Sequence, residues 1–161
     1  MMAQALAKPP SDVGPVGSAS DSAVRATAPL LKTILVADDD DTIRNLIAAV
    51  LARRGYAVRT AADGAAGLAV MGRRPVDLLI TDIEMPICGG LELAGRVRRV
   101  WPQLPIIFIS GGTLELELPA AMLGGHCNWL AKPFSFAELM DNVEELLARS
   151  DAQKQPALAT G

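Results

Sequence analysis

The stretch Val76-Asp77-Leu78-Leu79-Ile80-Thr81-Asp82-Ile83-Glu84-Met85-Pro86 decides the fold. Val76 to Ile80 is a mostly apolar run of strand length. It stops on a carboxylate, Asp82, and Pro86 four residues later can continue neither a ladder nor a helix interior. A carboxylate just past the C-terminal end of a buried strand sits where open α/β sheets place their chemistry. Groups elsewhere in the chain can converge on Asp82 where other strands end on the same sheet edge.

Working outward, the same grammar recurs. Thr33 to Ala37 is an apolar run suited to a central strand, and it ends on Asp38-Asp39-Asp40-Asp41. Ile43, Leu46, Ile47, Val50 and Leu51 then form an apolar stripe at helical spacing. Asp40 or Asp41 can cap that helix, and Gly55 can end it. Tyr56, Val58 and Thr60 predict a strand nearer the sheet edge, and Ala65 to Arg74 a small-residue helix. After Asp82, Gly89-Gly90 restarts the chain into an amphipathic helix bearing Leu91, Ala94 and Val97, with Arg96, Arg98 and Arg99 on its wet side. Ile106 to Ile109 is the next strand, ending on Ser110-Gly111-Gly112. Thr113 to Leu123, interrupted by Pro119, predicts a short or distorted helix. Cys127 to Ala131 is the last strand and ends on Lys132-Pro133. Ser135 and Glu138 make a capping box, Phe134 and Leu139 a hydrophobic staple, and Leu139, Val143, Leu146 and Leu147 the buried stripe of the final helix.

Five strands alternating with five helices call for a parallel sheet covered on both faces, joined by right-handed crossovers. Lys32 to Arg149 carries this pattern. Residues 1–31 and 150–161, rich in Ala, Pro, Ser and Gly or simply polar, read as disordered tails. With half its residues hydrophobic and only 4% aromatic, the chain must build its core from aliphatic side chains. A net charge of −3 argues against a broad nucleic-acid interface. No apolar run approaches the ~20 residues of a membrane span. Two cysteines, Cys88 and Cys127, fit a reducing, cytoplasmic setting.

In a parallel sheet the strand ends share one edge, which brings together Asp38, Asp39, Asp82, Ser110 and Lys132. Crowded carboxylates repel, and a hard divalent cation such as Mg²⁺ relieves them while keeping several waters. A lysine and a hydroxyl beside such a site fit a phosphoryl group. Asp82 is then either a third metal ligand or a nucleophile that forms an acyl phosphate.

These residues resemble the receiver domains of bacterial two-component response regulators. The resemblance rests on ILVADDD at Ile34 to Asp40, DIEMP-x-x-x-GLEL from Asp82 to Leu93, ISGG from Ile109 to Gly112 and LAKPF from Leu130 to Phe134. It implies a flavodoxin-like doubly wound five-stranded parallel sheet of order 2-1-3-4-5 with five helices. It implies Asp82 as phospho-acceptor, with Asp39, Asp82 and the backbone carbonyl of Glu84 contacting Mg²⁺ and Asp38 acting mainly through water. Ser110 takes the place of the switch hydroxyl, Lys132 that of the lysine paired with the acyl phosphate, and Trp129 that of the switch aromatic. The implied donors are a histidine kinase or a histidine phosphotransfer protein. The implied output is a changed affinity of the face formed by the fourth helix, fifth strand and fifth helix for a downstream protein. Such a chain is no enzyme beyond its own phosphorylation and dephosphorylation. It departs from the family pattern at Gly89, Gly111, Gly112, Pro119 and Trp129.

Two rival functions fit fewer residues. Asp38-x-Asp40-x-Thr42 reads as the D-x-D-x-T of haloacid-dehalogenase-type phosphohydrolases, with Asp38 as nucleophile, but leaves Asp82 unexplained. A phosphorylation-independent protein-interaction module needs none of the acidic cluster. His126 beside Cys127 lacks further ligands at metal-site spacing and reads as an exposed loop residue. Cys88 reads as an ordinary loop residue.

Overall fold

A computed structural model describes residues 30–112 and 126–155. The elements run β1 (Thr33–Ala37), α1 (Asp41–Arg53), β2 (Ala57–Ala61), α2 (Gly64–Arg73), β3 (Leu78–Asp82), α3 (Gly90–Val100), β4 (Ile106–Ser110), β5 (Cys127–Ala131) and α4 (Phe136–Lys154). The five strands form one parallel sheet in the order β2-β1-β3-β4-β5, as the resemblance implies. Four helices stand among the described residues. The short helix expected over 113–123 lies outside them, as do residues 1–29 and 156–161.

The sheet separates two apolar layers, because alternate side chains of each strand face opposite sides. Ile34, Val36, Leu78, Ile80, Ile107 and Ile109 meet α1 through Ile47 and Leu51, and α4 through Leu139, Val143, Leu146 and Leu147. Leu35, Leu79, Ile106 and Phe108 meet α2 through Met71, and α3 through Leu93, Ala94 and Val97. Every residue of β3 and β4 is buried, the mark of interior strands covered on both faces. β2 at the edge is only half-buried along most of its length.

Local chemistry sets the boundaries. β3 begins at Leu78 rather than Val76, because Asp77 closes the entrance: its carboxylate accepts the Thr33 N–H at 2.8 Å and its own N–H donates to the Thr33 carbonyl at 2.7 Å. The Asp40 side chain caps α1 by accepting from Thr42 and Ile43. Ser135 and Glu138 form the reciprocal capping box on α4.

Three expectations are corrected. The last helix does not fray after Arg149 but runs to Lys154. Ser150 extends the stripe of Leu146 and Leu147 by one turn and is buried, and Asp151 pairs with Lys32 at 2.5 Å. His126 is buried rather than exposed, its carbonyl accepting from Ile106 N–H at 2.9 Å and from Arg98. Arg98 does not lie on a solvated face. It folds inward and donates to the Pro102 carbonyl at 2.7 Å and the Cys127 sulfur at 3.0 Å.

Candidate acidic phosphoryl site

The C-terminal ends of β1, β3 and β5 bring Asp38, Asp39, Asp82 and Lys132 together. One oxygen from each of the three carboxylates lies within 4.8 Å of the others, with Asp38 and Asp82 buried and Asp39 exposed. Lys132 Nζ donates to Asp82 Oδ2 at 2.7 Å and stands 3.6 Å from Asp38 Oδ2. The other oxygens are held by backbone: Asp40 N–H donates to Asp38 Oδ1 at 2.9 Å, and Glu84 N–H to Asp82 Oδ1 at 3.0 Å. Asp38 and Asp82 are thus each oriented by their own loop, two residues on, before any ligand arrives.

Electrostatics follow from burial. Burial pushes the Asp38 carboxyl above its usual range, against the opposing pull of the Asp40 N–H and the Lys132 charge. For Lys132, burial works against the charged form, but the hydrogen bond to Asp82 and the charges of Asp38 and Asp82 outweigh it, holding the ammonium above its ordinary range. Three carboxylates against one ammonium leave the cluster two charges in excess, formally −2. Among the described residues the buried Asp38 Oδ2 has no hydrogen-bond partner. An all-oxygen, doubly anionic cluster open on one side fits a hard divalent cation that retains water, which is the donor set Mg²⁺ prefers.

The remaining predicted residues surround this centre. The Ser110 hydroxyl accepts the Gly112 N–H at 3.2 Å, while its carbonyl accepts the Lys132 N–H at 2.7 Å and ties β4 to β5 at the site. Trp129 stacks on Phe108, its partner in register, with ring centroids 4.6 Å apart and planes at 17°. The Lys132–Pro133 peptide is cis. Ser110, Gly111, Gly112, Trp129 and Lys132 line a cavity of about 390 Å³. Asp40, the general acid required by a phosphohydrolase reading, is committed to the α1 cap.

Several contributors escape sequence reasoning. Arg44 Nη1 reaches back from α1 to the Asp38 carbonyl at 2.7 Å and pairs with Asp41 through Nη2. The buried Thr81 hydroxyl donates to the Asp82 carbonyl at 2.9 Å. Gly90 abuts the same carbonyl so closely that a Cβ would collide with it. Cys88 is buried under the loop and packs against Gly64, and burial raises its thiol above the usual range. A reach of three to six residues or a close backbone approach leaves no periodic signal. Gly89-Gly90 was the one visible cue.

An acidic pocket with one lysine, at the carboxyl edge of a 2-1-3-4-5 sheet, defines a class of phosphoryl-accepting signalling domains. The sequence profile of the response regulator receiver domain matches residues 34–144, and the chain belongs to that family. The receiver protein CpdR of Brucella abortus is 34% identical over 73% of this chain and 98% of its own length. The DNA-binding transcriptional regulator NtrC of Azospirillum brasilense is 38% identical over 71% of this chain, which spans only 24% of NtrC. For RprY of Bacteroides fragilis the shared region is 51% of that protein. Among solved structures, the chemotaxis protein CheY4 of Vibrio cholerae superposes with a TM-score of 0.67 at 30% identity, over 72% of this chain and 98% of that one. TrrA of Thermotoga maritima, solved with Mg²⁺ and BeF, superposes with a TM-score of 0.65 at 34% identity, over 72% and 99%. Receiver domains take up phosphoryl groups and interact with histidine kinases, and they bind Mg²⁺ at this acidic pocket. Among the described residues no helix is long and apolar enough to cross a membrane.

Proposed function

We propose that this chain is a phosphorylation-controlled switch of a two-component phosphorelay, with Asp82 as acceptor. The contact that carries the reading is Lys132 Nζ on Asp82 Oδ2 at 2.7 Å inside a cluster of three carboxylates. A carboxylate oxygen of Asp82 attacks the phosphorus of a phosphohistidine donor. The new P–O bond forms as the P–N bond breaks, and the imidazole leaves and takes its proton from water. Lys132 transfers its attention from Asp82 to the incoming phosphoryl oxygens, and the Ser110 hydroxyl turns from Gly112 toward them. Asp39, Asp82 and the Glu84 carbonyl would hold Mg²⁺, with Asp38 acting through water. When bound, the ion neutralises charge on the transferred group.

The donor is a histidine kinase or a histidine phosphotransfer protein. Residues 32–149 form the receiver unit, with α4 extending it to Lys154, and the output is a protein–protein contact made in the cytoplasm. Trp129 lines the cavity beside Ser110 and Lys132, so its indole reports the switch. Beryllofluoride, a tetrahedral phosphoryl mimic that is present with Mg²⁺ in the TrrA structure, supplies the test. In a Trp101→Phe background, Trp129 fluorescence changes only when Mg²⁺ and beryllofluoride are both present, and the change vanishes in Asp82→Asn. A response that needs neither Mg²⁺ nor Asp82 overturns the reading.

A further inference from the structure

Between Arg53 and Arg74 the sequence holds five arginines and a single acidic residue, Asp63, in a chain of net charge −3. Asp63 is committed to capping α2 through the Ala66 N–H. The segment forms the outer edge of the sheet, where among the described residues β2 pairs with β1 alone. Arg59 of β2 and Arg73 and Arg74 at the end of α2 line, with Val70, an open groove of about 450 Å³. Arg59 Nη1 donates to the Arg74 carbonyl at 2.8 Å, which fixes one edge of its guanidinium and leaves the other donors for a ligand. Among the described residues Arg44, Arg54, Arg96 and Arg149 each have a carboxylate partner, whereas none of these three does. The C-terminal carbonyls of α2 favour one cation at Arg73. They do not account for three guanidinia sharing one groove.

We propose that this groove binds a small oligophosphate, an anion carrying two or more phosphoryl groups in a phosphoanhydride chain. Guanidinium forks match phosphoryl oxygens two at a time, and several forks around one concavity suit a compact polyanion. The groove's volume falls within the range of small-ligand sites. An extended acidic peptide is the poorer fit, because β2 offers an edge of only five residues as a template for an added strand. The groove is also separate from the acidic site. Gly64 at the start of α2 touches the Cys88 loop that follows Asp82, and Arg73 and Arg74 lie at the helix's other end.

The phosphoanhydride chain occurs both as a free inorganic anion and in nucleoside triphosphates, so titration calorimetry of the whole chain uses inorganic tripolyphosphate and ATP in separate arms. EDTA is present, so that neither anion acts through Mg²⁺ at Asp82. The expected result is saturable one-to-one binding of tripolyphosphate that weakens about tenfold in Arg59→Gln and in Arg73→Gln. Binding is unchanged in Arg149→Gln and Asp82→Asn, and circular dichroism melts verify that each variant is folded. ATP binding as tightly as tripolyphosphate marks the phosphate chain as the whole recognition element, and tighter ATP binding adds the nucleoside to it. Absence of saturable binding overturns the proposal, as does affinity indifferent to Arg59 and Arg73. A poly-glutamate peptide binding as tightly through the same arginines also overturns it and makes the surface a peptide site.

Discussion

Lys132 is the residue on which the site's charge balance turns. Among the described residues its ammonium is the one cation paired with the carboxylates of Asp38 and Asp82. Replacing it with Met leaves the two buried carboxylates facing each other and removes the ammonium proposed to take up the phosphoryl oxygens. Phosphorylation of Lys132→Met by acetyl phosphate should slow by roughly 10²-fold, the usual scale for losing one oriented donor. Quench-flow or timed mass spectrometry measures it, and an unchanged rate would remove Lys132 from the mechanism. Gly90 acts through space rather than charge. A Cβ there collides with the Asp82 carbonyl, so Gly90→Ala should cost about 1–3 kcal/mol of stability in a urea melt. These two residues differ in how the sequence shows them. Lys132 stands at a strand end, as do Asp38 and Asp82, and strand ends are readable from apolar runs. Gly90, Thr81 and Arg44 serve the site by proximity that no spacing rule encodes.

Elements were legible where one periodicity ruled and obscured where a side chain crossed layers. β1, β4 and β5 stand where their apolar runs place them, and the capping box of α4 matches its S-x-x-E signature. Arg98 defeats the pattern because a guanidinium on a long apolar stem can lie inward along a helix and bond carbonyls at the sheet's edge. That same guanidinium donates to the His126 carbonyl, a contact 28 residues away in sequence that neighbouring residues do not signal. The end of α4 was missed because Ser150 is polar, yet it occupies the buried stripe. The α4 cap makes a pH-dependent prediction. The Glu138 carboxyl is held below its ordinary range by the Ser135 N–H, with the Ser135 hydroxyl adding to the effect. Its contribution is therefore present above the unfolded-state pKa and is lost as pH falls through the lower folded value. Ser135→Ala should destabilise by about 1 kcal/mol at neutral pH. Glu138→Gln should lower the urea midpoint at pH 7 and leave it unchanged at pH 2–3, whereas an equal loss at both pH values would show that the charge contributes nothing.

The whole molecule is organised by charge as well as by layers. Carboxylates gather at the carboxyl edge of the sheet around Asp38, Asp39 and Asp82, and arginines gather along β2 and the end of α2. The excess negative charge of the acidic cluster is a cost that the fold carries and a divalent cation offsets. A ligand that binds the folded chain alone raises its apparent stability by mass action, about 2.7 kcal/mol at a hundred times the dissociation constant. Millimolar Mg²⁺ should therefore raise the melting temperature of the wild type, and Asp39→Asn should abolish that rise. Equal stabilisation of both proteins would place the ion elsewhere.

Whether Asp82 is the phosphoryl acceptor is read by intact mass spectrometry after incubation with acetyl phosphate and Mg²⁺. A single phosphoryl adduct is expected on the wild type, absent in Asp82→Asn and absent when EDTA removes the metal. An adduct that persists in Asp82→Asn would place the acceptor at another residue, and a wild type that carries none even with a phosphorylated histidine donor would leave a receiver fold that works as a phosphorylation-independent binding module.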